Sequence, residues 1–312
     1  MAPLLIAGQA NFPLAAAIAR RLNVGLVSRT IGRFPDGELQ VELEDPVRGE
    51  DVYVIQPTGP PVDPWVFELL FLADACRRAG AAYVTAVMPY FGYARQDRRA
   101  TGREPVGARL VADLLAAGGI QRVVAVDLHV ASLEGFFAVP LEHLTAVPAM
   151  VEHLRGRLAS ASVIVAPDLG AAKLAERYAR ALQLPFAIVH KRRLTGEHVR
   201  VSGIAGDVRG LAPVIVDDMI STGGTIEAAV AALLAAGCRP EFRVAATHGL
   251  LVGAAGERLA RAGVTAITVT DSLQSPSVDG VALEVVSLAP LLAEAIDRLH
   301  RRRSLNDLIK HE

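Results

Sequence analysis

Val214-Ile215-Val216-Asp217-Asp218-Met219-Ile220-Ser221-Thr222-Gly223-Gly224-Thr225 is the stretch on which the reading of this chain turns. A β-branched run leads at once into two carboxylates, then into a small-residue loop, and then into Ile226 to Ala236, whose Ala and Leu spacing predicts a helix. A buried strand that turns through Gly223 and Gly224 into a helix offers loop N–H groups and the positive helix end to an anion. Ser221, Thr222 and Thr225 add hydroxyl donors, while Asp217 and Asp218 can accept hydrogen bonds from vicinal sugar hydroxyls. A phosphorylated ribose meets both halves of that description. A tight turn with an acidic helix cap explains Thr225 but not two adjacent aspartates.

The same alternation of strand and helix runs through the chain. Short β-branched segments occur at Asp51 to Gln56, Tyr83 to Met88, Arg122 to Asp127, Val163 to Ala166, Phe186 to His190, Val214 to Asp217, Phe242 to Thr247 and Ala266 to Thr270. Longer Ala- and Leu-rich stretches separate them. This pattern predicts an α/β protein with mainly parallel sheets flanked by helices, and such sheets place ligands beyond the carboxyl ends of their strands. The length of 312 residues accommodates two domains, and the stretch near Leu141 to Val151 separates two halves that each contain a strand ending in aspartate. The polar segment Arg192 to Arg209 is long for a connection and reads as a lid.

Composition excludes several classes. Lys plus Arg (32) nearly equals Asp plus Glu (33), so no bulk field draws the chain to nucleic acid or an anionic membrane. Two cysteines, Cys76 and Cys238, lie apart in Ala-rich stretches and predict reduced thiols. The first ten residues lack a basic leader, and no apolar run approaches the ~20 residues of a membrane span, so a cytoplasmic enzyme of small anionic substrates is expected.

No Walker A loop or Gly-x-Gly-x-x-Gly is present to hold a nucleotide. Two other segments suit one. Tyr90-Phe-Gly-Tyr-Ala-Arg-Gln-Asp-Arg-Arg99 follows a strand and sets aromatics beside guanidinium groups, with Arg95, Gln96 and Asp97 at its centre. Phe34-Pro-Asp-Gly-Glu38 offers an aromatic face and the carboxylates of Asp36 and Glu38 across a turn at Gly37. His129, just past a strand, can ligate a metal or contact phosphate, and Asp168, at the matching place in the second half, can supply an oxygen ligand for Mg²⁺ or cap the helix from Ala171. Lys191 and Arg193 stand at the entry to the lid, where cations can close over a polyphosphate.

Together these segments resemble the ribose-phosphate diphosphokinase (PRPP synthetase) family. The resemblance is carried by Gly32 to Glu42, Tyr90 to Arg98, Asp127-Leu-His129 with Gly135-Phe-Phe137, Pro167-Asp-Leu-Gly170, Lys191-Arg-Arg193, Val216 to Thr225 and Ala246-Thr-His248. It implies two tandem phosphoribosyltransferase-like domains, here 1–145 and 146–312, the last helix packing on the first domain. It also implies ATP and ribose 5-phosphate as substrates, Mg²⁺ as cofactor, and a homohexamer built from dimers. By the same resemblance, Phe34, Asp36, Gly37, Glu38, Arg95, Gln96 and Asp97 bind ATP, the first four reaching from a neighbouring subunit. His129 and Asp168 are metal ligands and Lys191 and Arg193 are catalytic cations. Arg193, Asp217, Asp218 and Ser221 to Thr225 bind ribose 5-phosphate. The chain departs from the family at Val130, Ser132, Glu134 and Ala171, near the expected metal site. It also places Pro46 and Asn306 where phosphate-activated members carry serines, so little activation by inorganic phosphate is expected. A phosphoribosyltransferase that consumes PRPP would share the Asp217 to Thr225 loop without needing the nucleotide segments.

Overall fold

A computed structural model describes residues 2–195, 198–274 and 278–309, with side chains except those of 191–195 and 198–202. The chain forms two compact units: residues 1–145, 272–274 and 287–312 make unit 1, and 146–271 with 275–286 make unit 2. The end of the chain therefore groups with the first unit, although it follows the second in sequence.

Unit 1 holds a five-stranded sheet in the order β1 (Leu4–Ala7), β4 (Asp51–Ile55), β5 (Tyr83–Met88), β6 (Arg122–Val126), β7 (Leu141–Leu144), all parallel. Val52, Val54, Val84, Ala86, Val123 and Ala125 are fully or almost fully buried at alternate positions and pack with Leu69, Leu72, Val111 and Leu115. The last four come from helices α2 (Val62–Arg78) and α3 (Gly107–Ala117). Each Val or Leu among them contributes roughly 1.5–3 kcal/mol on burial. Helix α1 (Phe12–Leu22) is capped by Asn11, whose Oδ1 accepts from the Leu14 N–H at 3.3 Å, and it packs on α8 (Ala289–His300). A separate antiparallel ribbon, β2 (Arg29–Arg33) with β3 (Leu39–Leu43), stands outside the main sheet.

Unit 2 has seven strands in the order β10 (His198–Ala205), β9 (Phe186–Thr195), β8 (Ser162–Ala166), β11 (Ala212–Ile220), β12 (Phe242–Gly249), β13 (Val264–Thr270), β14 (Ala282–Val286). Only β10 runs antiparallel to its neighbour. From β8 the order runs one way to β9 and the other way to β11, so a topological switch point lies between β8 and β11. Helices α4 (Val147–Leu154), α5 (Ala172–Leu182), α6 (Gly224–Ala235) and α7 (Ala255–Arg261) complete the unit.

Three segments differ from the sequence reading. Leu141 to Leu144, in the stretch expected to separate the two halves, forms the edge strand β7, and the passage between units falls at residues 145–146. The stretch 192–209 is largely a β-hairpin, because β9 runs on past His190 and pairs back with β10. The strand before Asp217 also continues, through both aspartates to Ile220, since β12 pairs with it along its length.

Candidate functional site

In a doubly wound sheet the helices on either side of a switch point diverge, leaving a crevice at the carboxyl strand ends. In unit 2 that crevice lies where β8 and β11 end. Register pairs Ile215 with Val165, so two residues on Asp217 stands level with Pro167 and beside Asp168. The Asp217 carboxylate is pushed well above the usual carboxylate range. Burial is the main cause, followed by the negative charge of Asp218, with Asp168 adding to it. Asp217 Oδ1 also accepts the Asp218 N–H at 2.9 Å. Uncompensated negative charge collected in this way favours a cation or hydroxyl donors.

The loop beyond these aspartates enters α6 through Gly223, which caps the helix at φ 77°. A Cβ there would lie 3.2 Å from Leu259 Cγ, so conformation and space both call for glycine. Gly223 brings no side chain to the start of α6, and Thr222 and Thr225 are exposed beside it. The loop is fixed from behind by the Leu251 N–H donating to the Ile220 carbonyl at 2.9 Å and the Val252 N–H to the Ser221 carbonyl at 3.1 Å. These features form an open cradle at a helix start, a place that suits an anion. A cavity of about 370 Å³ in the same unit lies at the opposite strand ends, lined by Arg157, Ser162, Glu241, Arg243 and Thr265, and takes no part in the cradle.

Asp168 follows β8 and is half-buried. Its Oδ1 accepts the Gly170 N–H at 3.0 Å and the Ala171 N–H at 3.4 Å, which anchors the turn into α5. The carboxylate thus serves the helix entry through one oxygen and keeps the second for a ligand. The backbone of Lys191 and Arg193 lies in β9, next to β8; their side chains lie outside the described residues.

In unit 1, Phe34 to Glu38 forms the turn of the β2–β3 ribbon. The Phe34 N–H donates to the Glu38 carbonyl at 2.9 Å, the Gly37 N–H to the Phe34 carbonyl at 2.8 Å, and Gly37 has φ 94°. Phe34, Asp36 and Glu38 are exposed, and Arg33 Nη1 braces the turn by donating to the Gly37 carbonyl at 2.6 Å. Arg95 and Gln96 are also exposed, on a turn closed by the Gln96 N–H to the Tyr93 carbonyl at 2.8 Å. Asp97 is half-buried, 3.5 Å from Arg98 Nε. His129 is exposed just past β6. It follows Asp127, a buried non-glycine residue with φ 39°.

The sequence reading missed the groups that hold these residues. His143 and Thr145 bond to the turn before His129, and Arg258 of α7 sits close to Gly224 and 3.7 Å from Glu227 Oε2. The two-residue spacing of His143 and Thr145 was the available signal, but it lies in the stretch read as separating the two halves. Among the described residues, no group of three or more His, Cys, Asp or Glu side chains is arranged to hold a metal ion. No helix among them is long and apolar enough to cross a membrane.

Comparison with known proteins adds a separate line of argument. Residues 4–119 match the model of the N-terminal domain of ribose phosphate pyrophosphokinase, and residues 149–272 match the phosphoribosyl transferase domain. The chain is 44% identical over 310 residues to a ribose-phosphate pyrophosphokinase of Rhodopirellula baltica, covering 98% of each. It is 39% identical to one of Bacillus caldolyticus, covering 97% of this chain and 96% of that one. A crystal structure of phosphoribosylpyrophosphate synthetase from Mycobacterium smegmatis superposes with a TM-score of 0.89 at 38% identity, over 97% of this chain and all of that one.

Proposed function

The chain belongs to the ribose-phosphate pyrophosphokinase family, and from that premise we propose how its residues carry out the reaction. The enzyme transfers the diphosphoryl group of ATP to the C1 hydroxyl of ribose 5-phosphate, giving PRPP and AMP. The observation that supports the assignment of residues is the turn of unit 2, with two aspartates in the last part of β11 and α6 starting at a left-handed Gly223.

The 5-phosphate rests on the N–H groups of residues 221–225, with the hydroxyls of Ser221, Thr222 and Thr225. Asp217 and Asp218 accept hydrogen bonds from the ribose 2- and 3-hydroxyls. Binding a hydroxyl pair or a cation there relieves the charge that raises the Asp217 pKa. From unit 1, Arg95, Gln96 and Asp97 hold the nucleotide. Phe34, Asp36, Gly37 and Glu38 complete the adenine and ribose pocket of a neighbouring copy, within a dimer-based hexamer in the cytoplasm. Exposure of all four at the tip of a ribbon supports such a reach.

Mg²⁺ is bound in proteins by one or two carboxylates, substrate phosphates and waters, so a complete protein cage is not required. Asp168, with one oxygen outside its helix-entry bonds, fits that role, and His129 of unit 1 would act as a metal ligand or as a phosphate contact. When bound, the ion neutralises polyphosphate charge. Diphosphoryl transfer is mainly a matter of in-line positioning and of stabilising charge that spreads onto oxygens. Lys191 and Arg193, on the strand that opens the β9–β10 hairpin, supply positive charge to the transferring group, and closure of the hairpin keeps water from competing as nucleophile.

Purified protein with ATP, ribose 5-phosphate and Mg²⁺ should form AMP and PRPP in equal amounts. Nucleotide formation from PRPP and a free base without ATP would instead identify a phosphoribosyltransferase. Mixing the inactive Phe34→Ala and Lys191→Ala chains should restore part of the activity, because one intact shared site forms in mixed oligomers. No rescue in confirmed mixed oligomers would remove the neighbour's turn from the site.

A further inference from the structure

We infer that His143 and Thr145, with the C-terminal tail behind them, are positioning residues for His129. The inference rests on the placement of His129 at the polyphosphate. His129 is exposed, yet the turn that presents it is buried: Asp127, two residues earlier, is 2% exposed and has φ 39°. A non-glycine residue in that region costs on the order of 1–3 kcal/mol and persists only where its surroundings over-determine it.

The edge strand β7 supplies that constraint. The Leu128 N–H donates to His143 Nε2 at 2.9 Å, Thr145 Oγ1 donates to Asp127 Oδ1 at 2.9 Å, and the Asp127 N–H donates to the Leu144 carbonyl at 3.0 Å. His143 and Thr145 are two apart on an extended segment, so both side chains meet the turn from one side. Both are buried, as are Asp127 and Leu128. Any rotation of the peptide between Asp127 and Leu128 re-aims the imidazole of His129, and these bonds oppose it.

Behind β7 lies the tail. The Thr145 N–H donates to the Leu308 carbonyl at 3.2 Å, and Ile309 bridges antiparallel to Leu144, which covers the otherwise open edge of the sheet. Leu305 is buried, and Arg298 of α8 clamps the tail. Its Nη1 donates to the Ser304 carbonyl at 3.2 Å, its Nη2 to Asp307 Oδ2 at 3.1 Å, and its Nε to Glu294 Oε1 at 2.6 Å. Residues 304–309 thus connect, through Thr145, to the turn that precedes His129.

The test uses the full-length enzyme. Thr145→Val keeps the shape and removes the donor, while Thr145→Ser keeps the donor; His143→Leu removes the acceptor, while His143→Gln replaces it. Thr145→Val and His143→Leu should lower kcat about tenfold, the scale set by small misplacements of a reacting group, with KM for ribose 5-phosphate unchanged. In both, the Leu128 amide should exchange faster with solvent and Mn²⁺ should broaden the His129 imidazole resonance less. Thr145→Ser and His143→Gln should recover most of each signal, and Arg298→Gln should show the same signature at smaller amplitude. A purely structural role would lower Tm and leave kcat of the folded enzyme and the broadening unchanged. Normal kcat and broadening in folded Thr145→Val and His143→Leu, beside an inactive His129→Ala, would overturn this inference alone. Full activity in His129→Ala would overturn the placement of His129 and this inference with it.

Discussion

The turn after β6 opens with Asp127 and the loop after β11 follows the in-strand pair Asp217 and Asp218, and the two are held in opposite ways. In unit 2 the strand order reverses at β8 and β11, so the crevice exists by topology. Glycine at φ 77° and a helix start then make the phosphate cradle from one contiguous segment. In unit 1 the strands follow one another from β1 to β7 without reversal. There a non-glycine residue at φ 39° shapes the turn before His129, and that turn is held by His143, Thr145 and the Leu144 carbonyl. A cradle built from local sequence tolerates change around it. A turn held by distant contacts depends on packing elsewhere.

The largest expected effect bears on the catalytic half of unit 2. Lys191→Ala should lower kcat by on the order of 10²-fold or more while leaving ribose 5-phosphate binding nearly intact, as expected for a group acting on transition-state charge. Near-normal kcat would remove Lys191 from catalysis and leave the cradle as a binding element only.

Asp217→Asn should separate function from stability within the cradle. The folded-state pKa of Asp217 is raised, so its ionised form is disfavoured in the folded free protein. Its contribution to stability is present below the unfolded value of about 4 and is lost as pH rises through the folded value. The asparagine variant should therefore melt higher than the parent at neutral pH and lose that advantage on acidification, while KM for ribose 5-phosphate rises. A variant that melts lower at pH 7 would mean that Asp217 is already compensated in the free enzyme.

A matched pair of backbone substitutions sharpens the contrast. Gly223→Ala puts a Cβ at φ 77° and 3.2 Å from Leu259 Cγ, which should destabilise by about 1–2 kcal/mol. Asp127→Gly relieves φ 39° but removes the buried bond to Thr145, so it should also destabilise, by about 1 kcal/mol. Denaturant midpoints for both chains measure this. Stabilisation by Asp127→Gly would mean that strain, and not the carboxylate bond, dominates the turn after β6.

The smallest effect is expected from inorganic phosphate. Pro46 offers an anion neither hydroxyl nor N–H. The Gly49 N–H is already donated to the Gly80 carbonyl at 2.8 Å. Initial rates at constant free Mg²⁺ and ionic strength should change little from zero to tens of millimolar phosphate; strong activation from a nearly inactive baseline would sink the expectation.

The sequence by itself determined what is written in contiguous residues. Alternating buried runs specified parallel sheets, and Val214 to Thr225 specified the cradle, because strand, carboxylates, glycines and helix start are neighbours along the chain. It also specified the exposed turns at Phe34 to Glu38 and Arg95 to Asp97, whose chemistry is local. Side-chain periodicity tells which residues are buried but not which strand lies beside which. Only the tertiary structure decided that β8 neighbours β11, setting Asp168 beside Asp217. It alone extended β9 into a hairpin and made Leu141 to Leu144 an edge strand. It likewise brought His143 and Thr145 under the His129 turn and laid the end of the chain along β7. Those contacts join residues far apart in sequence, and their positions follow from which packing buries apolar surface while pairing most buried polar groups.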